Sequence, residues 1–374
     1  MRYYLIAGEA SGDLHGSNLM KEIRINDPAA HMQCWGGDMM EAAGGKVVKH
    51  YRDLAFMGFI EVVKNLPTIF KNLRFCKEDI LAFRPDVLIL IDYPGFNLRI
   101  AEWAKQQGIR VVYYISPQVW AWKANRVKKM KECIDLMLVI LPFEQTYFRD
   151  QWNWKVDYVG HPLVQVTSAH PFATANDFKA SLSLQPEDKI IALLPGSRRQ
   201  EILAKLPIML AVSPYFPEYH FVVAMAPGQD PTFYEAMLQQ YQNVRAVHQK
   251  TYDLLHHSDA ALVTSGTATL ETALLGVPEI VCYKGSAISY SIAKRIIKIK
   301  YISLVNLIMD RLIVKELIQD ELTVPNIRKE LELLLHDKER IRSLKEDYSA
   351  LSNQLTQGGN ASFNAAKRIH EFLQ

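Results

Sequence analysis

Cysteine is scarce in this chain and nowhere paired. Cys34, Cys76, Cys133 and Cys282 lie far apart and form no CxxC motif. That argues against a disulfide scaffold or a zinc ribbon and makes reduced thiols in a cytoplasmic protein the default. Long hydrophobic runs are missing too: no window approaches about 18 uninterrupted apolar residues, so any membrane contact is expected to be peripheral. The opening MRYYLIAGEASGD has an apolar stretch too short for a signal-peptide core, and acidic residues follow at once. The net charge of +3 is too small for a protein that coats nucleic acid. It leaves room for a local basic patch facing an anionic lipid or nucleotide. No internal repeat or low-complexity tract is present.

What is there suits two domains. The 374 residues are 49% apolar and 22% charged, too long for one ordinary core and typical of a folded protein. Short apolar, β-branched-rich runs at 3–7, 87–91, 111–115 and 136–141 read as buried parallel strands. Helical periodicity at 14–25 and 97–107 supplies the βαβ rhythm of a doubly wound fold. The pattern restarts after residue 165, with strands expected at 190–194, 220–224, 260–264 and 279–283. Residues 160–179, with Pro162 and Pro171, are the best linker. The expected α/β architecture is two Rossmann-like domains with an interdomain cleft, 1–165 and 166–345. Residues 346–374 form C-terminal helices that could pack back on the N-terminal domain, closing with an amphipathic helix at 361–372.

Three turns carry chemistry in the first half. The first strand runs into Gly8-Glu9-Ala10-Ser11-Gly12-Asp13-Leu14-His15-Gly16, where small residues admit a ligand to the backbone and a helix N-terminus attracts anions. It is neither a Walker loop nor a clean GxGxxG. Glu9, Asp13 and His15 crowd three ionisable groups into it; ordinary turn chemistry, with Asp13 as a cap, is the bland alternative. Asp92 ends the strand 87–91, and a carboxylate there faces the crevice where α/β folds bind ligands. Such a group can take a proton from a sugar hydroxyl, or simply cap the next helix. Trp120 and Trp122, followed by Lys123 and Arg126, could wall a cleft against sugar or acyl chain, or pack in the core.

The second half carries phosphate-suited turns. Pro195-Gly196-Ser197-Arg198 follows a strand, and an Arg beside a Gly-Ser turn suits a diphosphate. Ser265, Gly266 and Thr267 can offer N–H groups and hydroxyls to phosphate at a helix start, and Glu271 can accept from ribose hydroxyls. N-capping and a solvated helix face are the plain alternatives. Two such turns in one Rossmann-like domain favour nucleotide binding. Residues 57–75 and 289–301 mix large apolar side chains with lysine and arginine, a pattern of core packing with a solvated basic face or of headgroup contact.

Taken together, AGEASGDLHG, GGDMM, MGFIEV, IDYPGFN, SPQVWAWK, LPFE, VGHPL, LLPGSR, TSGTATLE and YISLVN stand in the order found in lipid-A-disaccharide synthases. The resemblance spans the chain to about residue 320. It implies a GT-B glycosyltransferase of the family 19 type, an inverting hexosyltransferase of lipid A biosynthesis. The donor would be UDP-2,3-diacylglucosamine and the acceptor 2,3-diacylglucosamine 1-phosphate; the products would be a β-1,6 disaccharide and UDP. It also implies Asp92 as general base, Arg198 on the UDP phosphates, Glu271 on the ribose and Asn306 near nucleotide or sugar. No metal, cofactor or nucleic acid is called for, since arginine and helix-end dipoles can replace a cation. The expected setting is the cytoplasmic face of the inner membrane, held peripherally by its anionic surface, with a homodimer as an open option.

Two positions depart from the family pattern. Gly95 stands where many members carry a second aspartate, so a two-carboxylate scheme through this motif is in doubt. Val305 replaces the usual proline before Asn306. The competing expectations are a UDP-GlcNAc 2-epimerase, which would turn over UDP-GlcNAc without an acceptor, and a decayed transferase that binds UDP and lipid without joining sugars. The basic-apolar stretches and TSGTATLE argue against the first, and the retained Asp92, Arg198 and Glu271 against the second.

Overall fold

The computed structural model describes residues 1–54, 66–286, 290 and 299–374. The chain divides into two compact units, 1–162 with 355–374, and 163–354.

In the first unit β1 (Arg2–Ala7), β2 (His31–Gly36), β3 (Lys46–His50), β4 (Val87–Ile91), β5 (Arg110–Tyr114), β6 (Leu136–Val139) and β7 (Asp157–Tyr158) form one parallel sheet. Its order is β3-β2-β1-β4-β5-β6-β7. The central strands β1 and β4 are apolar because helices cover both faces: Ile6, Leu88 and Leu90 face one buried cluster, Leu5, Ile89 and Ile91 the other. The order reverses between β1 and β4, so the loops leaving them diverge to opposite faces and open a crevice at their carboxyl ends.

The last residues belong to this unit. The helix Ala361–Leu373 lays Ala365, Ala366 and Ile369 into the same cluster as Leu19 and Ile23 of the helix Ala10–Asn26. Arg368 pairs with Asp157 at 2.8 Å, and Asn364 donates to the Val159 carbonyl at 3.1 Å. Gly160, at φ 94°, lies so close to the preceding turn that a Cβ would sit 2.7 Å from the Gly359 carbonyl oxygen.

The second unit repeats the plan. Here β8 (Lys189–Leu194), β9 (Tyr219–Met225), β10 (Val244–His248), β11 (Ala260–Thr264), β12 (Glu279–Tyr283) and β13 (Lys315–Ile318) are parallel, ordered β10-β9-β8-β11-β12-β13. The reversal falls between β8 and β11. The two phosphate-suited turns seen in the sequence are the loops that leave those two strands.

Candidate active site

The first switch point brings Glu9 and Asp92 together. Glu9 is the N-cap of the helix Ala10–Asn26, directly after β1, and Asp92 ends β4. Gly8 lets the loops close: a Cβ there would lie 2.3 Å from the Tyr93 ring. The backbone is strained on the Asp92 side, with φ at 44° for Asp92, 50° for Tyr93 and 69° for Ile115 at the end of neighbouring β5. Left-handed non-glycine residues cost on the order of 1–3 kcal/mol each and persist only where their surroundings over-determine them.

The surroundings do so here. The Asp92 amide donates to the Tyr114 carbonyl at 3.1 Å. Its carbonyl accepts from the Tyr113 hydroxyl at 2.6 Å and from Asn97 Nδ2 at 2.8 Å. Asn97 is fully buried and also donates to the Ile91 carbonyl at 3.2 Å. The main chain is therefore clamped while the carboxyl stays out of that network. Burial, and next the Glu9 charge, push the Asp92 carboxyl up to about 6, against the pull of the Tyr93 amide. A base with that value is ionised at neutral pH and stronger than an ordinary carboxylate.

The other two acid–base candidates of the first loop sit in different surroundings. Asp13 is buried, and its carboxylate accepts from the amides of Gly37 at 2.7 Å, Met39 at 3.1 Å and Met40 at 3.1 Å. It satisfies the first turn of the helix Asp38–Ala42. Burial lowers His15 to about 4, so its imidazole is neutral at pH 7 and a weak base. His161, from VGHPL, lies near it and is driven down to about 3 by burial and then by His15.

The structure adds a residue the motifs did not single out for a role. Glu144 of LPFE is buried at the start of the helix Pro142–Trp152, accepting from the Leu141 amide at 2.9 Å and the Ile140 amide at 3.3 Å. Its other oxygen accepts from Trp120 Nε1 at 3.2 Å. Burial raises it to about 7 despite those donors, with the Asp92 charge adding slightly. The two tryptophans thus diverge: Trp120 is tied to a buried acid, whereas Trp122 is exposed with Lys123 Nζ 4.2 Å from its ring centre. Gly95 is exposed and a Cβ there would meet nothing within 4 Å.

At the second switch point Gly196, at φ 115°, turns the chain after β8, and Ser197 and Arg198 stand exposed. Arg198 is the N-cap of the helix Arg199–Leu210, its guanidinium 3.5 Å from Glu201. After β11, Gly266 at φ 149° precedes the helix Thr267–Leu274, whose first residue is exposed. Glu271, one turn in, accepts from the Tyr252 hydroxyl at 2.9 Å, and burial raises its carboxyl above the ordinary range. The Ser265 hydroxyl, expected as a phosphate donor, is spent on the Ile302 carbonyl at 2.8 Å. That leaves the turn's backbone and Thr267 to meet an anion.

The Asn306 side chain is held by the chain itself. It is fully buried. Its Nδ2 donates to the Val314 carbonyl and to Glu316 Oε1, both at 2.9 Å; its Oδ1 accepts from the Ile313 amide at 2.7 Å and the Val314 amide at 3.0 Å. An amide with two N–H groups and two lone pairs has nothing left for a ligand.

Of the two basic-apolar stretches, 57–65, 289 and 291–298 lie outside the described residues. The helix Leu66–Phe83 exposes Phe70 at 64% and Phe75 at 42%, in a stretch that also carries Lys71 and Arg74. Among the described residues no helix is long and apolar enough to cross a membrane.

Two parallel, doubly wound units, each carrying its polar loops at the switch point, make this a GT-B glycosyltransferase fold. A UDP-GlcNAc 2-epimerase from Neisseria meningitidis bound to UDP-GlcNAc is similar over 100% of this chain and 99% of its own, with a TM-score of 0.66 at 14% identity. The glycotransferase of kitacinnamycin is similar over 100% and 99%, with a TM-score of 0.69 at 14% identity. The family model described as Lipid-A-disaccharide synthetase matches residues 3–369, and the chain belongs to that family. The lipid-A-disaccharide synthase of Geobacter metallireducens is 37% identical over 96% of this chain and 94% of its own. That of Syntrophus aciditrophicus is 38% identical over the same shares.

Proposed function

We propose that the chain transfers 2,3-diacylglucosamine from UDP-2,3-diacylglucosamine to the 6-hydroxyl of 2,3-diacylglucosamine 1-phosphate, with inversion. The products are the β-1,6 disaccharide 1-phosphate and UDP. The observation that carries the site reading is Asp92: a carboxyl at a switch point, raised to about 6, on a main chain clamped by Tyr113 and Asn97.

In this scheme Asp92 accepts the proton of the 6-hydroxyl as its oxygen attacks the anomeric carbon. The bond from that carbon to the diphosphate oxygen breaks, and its electron pair leaves with UDP. Arg198 and the N-terminus of the helix Thr267–Leu274 take up the charge that develops on the diphosphate. Glu271 accepts from the ribose hydroxyls. Glu9 acts on Asp92 by raising its proton affinity, while Asp13 and His15 shape the loop.

The exposed phenylalanines of Leu66–Phe83, with Lys71 and Arg74 in the same stretch, support a peripheral contact with the anionic cytoplasmic face of the inner membrane. The test offers purified protein both lipid substrates and follows UDP and disaccharide by mass spectrometry. The native chain forms both, and Arg198→Ala raises the KM for donor. No disaccharide from the native chain, or turnover of UDP-GlcNAc without an acceptor, overturns the proposal.

A further inference from the structure

In the second unit one buried carboxylate organises everything behind the turn after β11. Glu316, on β13, accepts from the Ile302 amide through both oxygens at 3.1 Å and from the Ser303 amide at 2.9 Å. It also accepts from Asn306 Nδ2 at 2.9 Å. Ser303 in turn caps the helix Leu304–Met309, its hydroxyl oxygen accepting from the Asn306 amide at 3.2 Å. All three side chains are buried. The peptide at Ile302 is thus fixed through its N–H, and its carbonyl accepts the Ser265 hydroxyl at 2.8 Å. Ser265 begins the exposed turn that leads through Gly266 into Thr267.

We infer that Glu316 is a positioning residue for the nucleotide: through the Ile302–Ser303 peptide and the Ser265 hydroxyl it sets the phosphate-facing backbone of Ser265–Thr267. The inference rests on the reading of that turn as a UDP site. Asn306 belongs to the same support, which accounts for an asparagine with no free hydrogen-bonding capacity inside a family motif.

Three features make the arrangement more than ordinary packing. A carboxylate that receives three separate donors holds them in one geometry, because each would be left unpaired in the interior without it. The next acid in the sheet, Glu279 on β12, is fully buried with neither oxygen hydrogen-bonded, and burial and then the Glu316 charge push it well above the carboxylate range. Glu279 therefore takes none of the donors that Glu316 holds. Finally, the Ser265 link touches the exposed turn itself, so a shift of the Ile302 peptide reaches the helix start, where sub-ångström placement of N–H groups decides anion affinity.

The test uses the full chain and UDP as probe, with titration calorimetry for affinity and initial rates for the two substrates. Ser265→Ala cuts the last link without disturbing the core. It is expected to weaken UDP binding, and to raise the KM for UDP-sugar, by about tenfold, the loss of one hydrogen-bond equivalent. The KM for acceptor stays within about twofold on the same scale. Glu316→Ala gives at least the same loss, and Ser265→Ala adds almost nothing in that background because the tether is already slack. Glu316→Gln, which keeps the accepting oxygen, restores most of the affinity. Unchanged UDP affinity in Ser265→Ala overturns the inference, whether or not Glu316→Ala folds. So do additive losses in the double variant. Failure of the native chain to bind UDP takes down the nucleotide-site reading as well, whereas native binding with unchanged variants takes down this inference alone.

Discussion

The Tyr113 hydroxyl donates to the main-chain carbonyl of Asp92 at 2.6 Å, so a residue of β5 fixes the strained turn that ends β4. Removing that donor tests whether the clamp matters for chemistry. Tyr113→Phe leaves the fold and the Asn97 bond in place and costs about 1 kcal/mol of stability. The rate is expected to fall by about tenfold, because a base displaced from attack geometry loses proton-transfer efficiency. Initial rates and a thermal melt separate the two effects.

Asp92 gives a pH dependence of definite sign. Its carboxyl sits at about 6 in the folded chain, above the ordinary aspartate value of 3.8. Only the ionised form accepts a proton, so kcat/KM rises with pH up to about 6 and then levels. Glu9→Gln removes a charge that raises Asp92, so the acid limb moves to lower pH. A limb that stays in place argues that another group titrates.

The same shift works against stability. Ionising a group whose folded pKa is raised is disfavoured by folding, so the penalty is full above about pH 6, shrinks as the pH falls towards 3.8 and is absent below it. Asp92→Asn, an amide that tolerates left-handed φ, is therefore expected to be more stable than the native chain at pH 8. The gain is on the order of 1–3 kcal/mol, and it narrows as the pH is lowered. Melts at a series of pH values check the sign.

Gly8 and Gly95 are predicted to behave oppositely. A methyl group at Gly8 would overlap the Tyr93 ring at 2.3 Å, and moving that ring drags the Asp92 turn with it. Gly8→Ala should cost about 1–3 kcal/mol and most of the activity. Gly95→Asp projects into open space, so stability should change by less than about 0.5 kcal/mol, with activity retained. Activity assays and melts on both variants decide.

The buried strands were legible because β1, β4, β8 and β11 are apolar runs with at most one polar residue, at an end, and the candidate loops were legible because each follows one of them. What escaped was polar strand. His31 and Gln33 in β2, Lys46 and Lys49 in β3, Arg245 and His248 in β10, and Lys315 and Glu316 in β13 break the apolar run. Three of these four strands are sheet edges, where one side meets water and the alternation weakens. At the site, residue type and place in the chain pointed to Asp13 as an acid–base candidate and Ser265 as a phosphate donor, and the resemblance placed Asn306 near nucleotide or sugar. They could not say that the partners of these groups are the chain itself: a helix start at Gly37, a carbonyl at Ile302, a carboxylate at Glu316. Glu144 was hidden for the same reason, since nothing local in LPFE shows that a tryptophan 24 residues earlier donates to it.

The most direct measurement of the central claim is disaccharide formation by Asp92→Asn with both lipid substrates, alongside its UDP affinity. The account predicts a rate lower by about 10²–10⁴, the usual contribution of a general base, with UDP binding unchanged. A variant that forms disaccharide at the native rate contradicts it.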